Sequence, residues 1–230
     1  MAKYLLYGIF ILLLMLTCIS CKKEDKPKSE IKKMSTYQRD SLALDRMEKY
    51  KREKLVKDEE GKAIGNIMFG ITEKEFEKQK DIFLKDVQQK DQNGISYGYS
   101  LGGYEFYFLR GQFYEKKLYG VNIIGNSIGY SSYDAIMPLQ KDIIDKIFIA
   151  KFGEPKFNYP LQSWHKLKSN SQYQSAQWVI GKKLISTSIS STGTHYSYDV
   201  SIFLPEVNGK IQEEERTKSD LSVEKAIDKI

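Results

Sequence analysis

Ile71-Thr72-Glu73-Lys74-Glu75-Phe76 and, further on, Asn93-Gly94-Ile95-Ser96-Tyr97-Gly98-Tyr99-Ser100-Leu101 are the phrases that decide the fold. In the first, Thr72 is placed to cap a helix, Glu75 three residues on is its capping-box partner, and Ile71 and Phe76 occupy the staple positions. A helix is therefore predicted to start at Thr72. Its apolar side consists of Phe76, Phe83, Leu84 and Val87, with lysines and acids opposite. After Asn93-Gly94 the period changes to two, as in a strand. Ile95, Tyr97, Tyr99 and Leu101 alternate with small residues, Gly102-Gly103 turns the chain, and residues 104–109 and 118–124 read as further strands around an exposed turn at Glu115-Lys116-Lys117.

The same order then recurs. A second amphipathic helix is predicted over about residues 135–151, with Leu139, Ile143, Ile144, Ile147 and Phe148 on one side. Pro138 is placed in its first turn, where backbone donors lack intrahelical acceptors, and Gly153 and Pro155 close it with a left-handed cap and a stop. Strands follow at 176–180, 184–191 and 196–204, the last two joined around Thr192-Gly193-Thr194. The predicted fold is α+β: two consecutive helix-then-antiparallel-meander units, about 63–131 and 132–205, forming a helix layer packed on an antiparallel sheet. Residue identity between the units is thin, so the repeat rests on the order of elements.

Outside this globular part, 63–205, the composition shifts. Residues 21–62 are dominated by Lys, Glu, Asp and Arg and read as a charged tether, with a helix expected over about 36–57, a run without Gly or Pro. Residues 206–230 carry acids and bases around few apolar positions and are expected to form a disordered or loosely helical, flexible tail.

The chain begins Met1-Ala2-Lys3-Tyr4, followed by an almost uncharged apolar run from Leu5 to Leu16 and then Thr17-Cys18-Ile19-Ser20-Cys21. A basic start, an apolar middle and a small residue before a cysteine make a lipoprotein signal peptide over 1–20. The apolar run is about a dozen residues, where a bilayer span needs about twenty. Lipidation is assigned to Cys21, with Ser20 as the small residue before it. Cys18, preceded by Thr17 and Leu16, fits the acceptor pattern less well. Cleavage there leaves one cysteine, itself acylated, so no disulfide is expected in the mature chain. The acyl chains make the lipid bilayer the first expected partner.

Cys21-Lys22-Lys23-Glu24-Asp25 resembles the surface-export signal of Bacteroidota lipoproteins, in which a lysine two positions after the acylated cysteine precedes two acidic residues. On that resemblance Lys23, Glu24 and Asp25 form the export signal, and an outer-membrane, cell-surface location is implied. The run Phe69-Gly70-Ile71-Thr72-Glu73-Lys74-Glu75-Phe76, with the later Lys151-Phe152-Gly153-Glu154-Pro155, resembles a group of small exported α+β domains. These include the tandem-repeat beta-lactamase inhibitor protein and the small lipoprotein of the outer-membrane barrel-assembly machinery. The resemblance implies a helix layer on an antiparallel sheet used for protein binding and not for chemistry.

Catalytic candidates are sparse. Gly125-Asn126-Ser127-Ile128-Gly129 has the form of a Gly-x-Ser-x-Gly nucleophile elbow and follows a strand. The next helix starts several residues too late for an elbow, and the hydrolase pattern needs a parallel sheet. The phrase reads as a Gly/Ser loop leaving a strand. The two histidines, His165 and His195, do not stand at ligand spacing, so neither a metal, a cofactor nor a catalytic group is expected. The net charge is +6, from 36 Lys and Arg against 30 Asp and Glu, well intermingled. That balance favours solubility over nucleic-acid binding. The chain holds 16 Tyr, 11 Phe and 2 Trp, more than a small core requires. If Tyr104, Phe106 and Phe108 share one face and Tyr107 takes the other, some rings must be outward, where they serve protein or glycan recognition. The expected function is a non-catalytic, macromolecule-binding lipoprotein. The competing expectations are a periplasm-facing accessory of envelope assembly and an inhibitor or immunity protein.

Overall fold

The computed structural model describes residues 36–90 and 92–227. The signal peptide, Cys21 and the export residues Lys23, Glu24 and Asp25 lie outside them. The chain separates at Lys51 into two units, and the second, Arg52–Ile230, carries the sheet.

Helix α1 spans Thr36–Glu59 and is followed by a small hairpin of β1, Lys62–Ile64, and β2, Ile67–Met68. Helix α2 covers Glu73–Asp86 and begins as the capping box requires. The Thr72 amide donates to Glu75 Oε2 at 2.8 Å, and the Glu75 amide donates to Thr72 Oγ1 at 3.4 Å. Four strands follow: β3 (Gln88–Lys90), β4 (Ser96–Leu101), β5 (Tyr104–Tyr114) and β6 (Lys117–Gly125). A two-residue strand β7 (Ile128–Gly129) and one 3-10 turn lead into helix α3, Tyr133–Phe152. Then come β8 (Phe157–Asn158), β9 (Ser171–Ile180), β10 (Lys183–Ser191), β11 (His195–Phe203) and helix α4, Pro205–Ile227.

All the pairings are antiparallel, and the main sheet runs β3-β4-β5-β6-β11-β10-β9-β8, with β7 paired to β11. The α+β fold with two helix-then-meander units is thus what the chain adopts. The units meet through their last strands, Gly120–Ile123 of β6 against Val200–Phe203 of β11, so the strand order of one half is the reverse of the other.

One side of the sheet carries the core. Helix α3 places Met137, Ile144 and Phe148 against Tyr104, Val200 and Trp178, all buried. The Phe148 and Trp178 rings lie 5.2 Å apart, and the Trp178 indole N–H donates to the Gly153 carbonyl at 2.9 Å. The Gly102-Gly103 turn has φ of 61° and 97°. A Cβ at Gly102 would stand 3.1 Å from Ile147 Cδ1, so a side chain there would be both strained and crowded by α3.

Helix α2 acts differently. Strand β4 pairs only with Tyr104–Phe106 of β5, which leaves the rest of that edge open. Helix α2 covers it: Phe76 packs edge-on against Phe113 at 5.7 Å, and the Lys80 ammonium lies 6.0 Å from the Phe108 ring. A charged helix laid along an edge blocks sheet-to-sheet association.

The end of α1 is pinned by a buried amine. Lys183, 2% exposed, donates to the carbonyls of Glu59 at 2.7 Å and Lys62 at 3.0 Å, with Phe152 5.4 Å away. Burial pulls its pKa down to about 8, against the raising effect of the Glu59 carboxylate. Glu59 is also paired with Lys151 at 2.9 Å and Lys62 at 3.1 Å.

Several expectations require correction. Residues 206–230 were expected to form a disordered or loosely helical, flexible tail, and Pro205–Ile227 is instead one continuous helix, with the Tyr114 hydroxyl donating to Glu214 of that helix. Helix α3 starts two residues earlier than the pattern implied, which moves Pro138 beyond the first turn and into the helix. Gly153 closes α3 at φ 80° and ψ −170°, outside the left-handed well. Ile95 precedes β4 and is 64% exposed. Phe108 does not share a face with Tyr104 and Phe106, because a register shift between Phe106 and Phe108 puts Leu109 inward instead. A bulge of this kind inverts every later side chain of the strand.

Candidate functional site

Alternation fixes what the other side of the sheet presents. Along β10, Lys183, Ile185, Thr187, Ile189 and Ser191 are buried toward the helices, so Leu184, Ser186, Ser188 and Ser190 point away. On β11 the outward set is His195, Ser197, Asp199, Ser201 and Phe203. On β9 it is Gln172, Gln174, Gln177 and Val179, a register shift having reset the phase near Ser175. The register assembles these into rows across the strands. One row reads Gln177, Ser186, Ser201, Asn122 and Arg110 on five adjacent strands. The next toward β7 reads Gln174, Ser188 and Asp199.

The one carboxylate at the outward positions of β9, β10 and β11 is held inside the lattice. Asp199, 5% exposed, accepts from the Ser190 hydroxyl at 2.5 Å and from the Gly125 amide at 3.0 Å. Burial pushes its carboxyl above the usual range, which these bonds only partly offset. Gly125 is required there, since a Cβ would fall 2.3 Å from the Tyr198 carbonyl oxygen. Gln172 Nε2 donates to Ser188 Oγ at 2.7 Å.

Two hollows lie along this side. One, about 370 Å³, is formed by the Gln and Ser residues together with Leu184 and Phe203. The other, about 610 Å³, lies where α2 meets β5 and β6 and is more charged, with Glu73, Glu77, Lys80 and Arg110 around Phe108, Tyr119 and Asn122. Asn122 Oδ1, on the row that joins the two hollows, is buried without a hydrogen-bond partner, a condition native structures seldom leave unanswered.

The Gly125–Gly129 loop lines a separate cavity of about 310 Å³ with Tyr104, Glu105, Ile136, Gln140 and Tyr198. Ser127 is exposed there, and no histidine lines the cavity. Strand β7 leaves the loop paired antiparallel to β11, His195 opposite Gly129, and the His195 ring contacts Thr194 Oγ1 at 3.0 Å. His165 lies against Trp164, their ring centroids 3.8 Å apart. The loop therefore sits in an antiparallel setting, which the nucleophile elbow does not use. Among the described residues no group of three or more His, Cys, Asp or Glu is arranged to hold a metal ion, and no helix is long and apolar enough to cross a membrane.

The aromatic surplus is divided between core and surface. Tyr104, Phe106, Tyr196 and Tyr198 are buried, with the Tyr104 hydroxyl donating to the Tyr198 carbonyl at 2.5 Å. Tyr107, Phe108, Tyr130, Phe157 and Tyr159 are exposed. Sequence reading followed the rings and missed the Ser/Gln lattice. Its signal was present in Leu184-Ile185-Ser186-Thr187-Ser188-Ile189-Ser190-Ser191, where one phase is almost wholly serine. No protein-family model matches this chain, and neither a curated protein nor a solved structure does.

Proposed function

We propose that this chain is an outer-membrane lipoprotein, anchored in the bilayer through acylated Cys21 and facing the cell exterior, whose domain binds another macromolecule and catalyses no reaction. The observation that carries this reading is the two-sided sheet. Helix α3 and the β1/β2 hairpin lie on the core side and α2 lies along the β5 edge, while the opposite side offers a lattice of Ser and Gln groups on β9, β10 and β11 with its own hollow, next to a more charged hollow at α2. Rows of amides and hydroxyls stand on β9, β10 and β11 where a solvated face would ordinarily carry mixed charge. The leader, the small residue before Cys21 and the run Lys23-Glu24-Asp25 support the anchoring and the direction of export.

Two measurements test the reading. Mass spectrometry of the mature N-terminus should find diacylglycerol on Cys21, and protease added to intact cells should remove the domain. Survival on intact cells with digestion after lysis would refute the outward orientation. Crosslinking on intact cells, followed by pull-down of the lipidated chain and analysis of the retained material for both protein and glycan, should retrieve a macromolecular partner; repeated failure to retrieve either would refute the binding role.

A further inference from the structure

We infer that the Gln/Ser face of β9, β10 and β11 is a binding site for a neutral polysaccharide, an assignment that rests on the binding-module reading and names its ligand class. The first argument is electrostatic. The chain is 29% Asp, Glu, Lys and Arg, yet the outward positions of these strands carry one such residue, Asp199, and it is buried and hydrogen-bonded. A solvated sheet face in so charged a protein would ordinarily share in that charge. Its removal favours a ligand that is itself uncharged.

The second argument is hydrogen-bonding capacity. A sugar hydroxyl is at once a donor and an acceptor, and so are Ser hydroxyls and Gln and Asn amides. Within these three strands the row Gln177, Ser186 and Ser201 offers one such group per strand, at steps of about 4.8 Å, before it continues through Asn122 to Arg110 at the charged hollow. That step is comparable with one hexose unit in an extended chain. Phe203 and Leu184, half-buried at one end of the hollow, give an apolar wall against which the C–H face of a sugar ring can lie.

The same composition argues against other occupants. Protein interfaces are depleted in Ser at their cores and gain their energy from Trp, Tyr and Arg anchors. Nucleic acid requires Lys and Arg against its phosphates. A membrane surface requires basic or apolar side chains. None of these is the chemistry of this face.

The test is native affinity electrophoresis of the full lipidated chain in detergent micelles, in gels containing dextran, amylopectin, galactomannan or xyloglucan. Polygalacturonate and heparin serve as anionic comparators. At least one neutral polymer should retard the protein, and the combined change Gln177→Ala, Ser186→Ala and Ser201→Ala should weaken that retardation about tenfold, as expected for several lost hydrogen bonds. The single change Gln177→Glu, which keeps the shape and adds a charge, should weaken it too. A change in α4 such as Glu213→Ala should leave it intact. Unchanged melting of each variant excludes misfolding as the cause. No retardation by any neutral polymer, retardation by the polyanions alone, or retardation insensitive to both face variants would overturn the assignment. If it fails while crosslinking on cells still captures a protein, the binding module stands and its ligand class is wrong. If crosslinking also retrieves nothing, both fall.

Discussion

The two halves share an order of elements and use their helices in opposite ways. Helix α3 lies on the sheet and buries Tyr133, Met137, Ile144, Asp145 and Phe148, yet Ser132 makes no side-chain cap bond. Helix α2 lies along an exposed strand edge and buries only Phe76, but starts with a complete capping box. The contrast shows two ways of specifying a helix. One is written into its first four residues, and the other is imposed by the surface it covers.

The comparison breaks first at the buried residues. Ile144→Ala should destabilise the domain by about 2–5 kcal/mol, whereas Ile82→Ala, on the exposed side of α2, should change stability by less than about 0.5 kcal/mol; urea unfolding measures both. Similar losses would mean that α2 is as embedded as α3. The junction with α1 gives the next effect. Lys183 titrates near 8 in the folded protein and at its ordinary 10.5 when unfolded, so between those values the unfolded chain holds more protons. Stability from this group therefore rises with pH across that window and is flat below it. Lys183→Met should remove that slope from the stability of the protein, measured as melting at successive pH values.

The caps supply a smaller and sharper test. Thr72→Ala should cost about 1 kcal/mol, and Ser132→Ala close to nothing, because Ser132 makes no side-chain bond to the helix it precedes. Equal losses would erase the distinction between the two helices. Smallest of all, Tyr114→Phe removes the bond to Glu214 and should raise hydrogen exchange in α4 while global melting is unchanged.

How much of this was legible follows the same division. The capping box and the switch of period after Gly94 are local, so α2 and the first meander were readable from adjacent residues. Helix α3 was found from its apolar face but misplaced by two residues at its start, since no side chain marks the cap. Phe108 was assigned to the wrong side because a bulge between strands leaves no mark in either strand alone. Residues 206–230 were read as disordered or loosely helical, and the continuous helix over Pro205–Ile227 was not foreseen because their charged pattern has almost no apolar face. The Ser/Gln lattice is a property of register: its rows join residues from β5 to β9, and only the pairing of strands brings them into line.

The seam between the halves deserves a last consequence. Strand β6 meets β11 over four residue pairs, whereas β9 and β10 share nine. Equivalent strands meeting antiparallel form an isologous contact, as in a twofold homodimer. The sheet has the strand order of such a dimer within a single polypeptide. The connection through β7 holds the halves at high effective concentration, and cutting it would turn folding of the sheet into a bimolecular association.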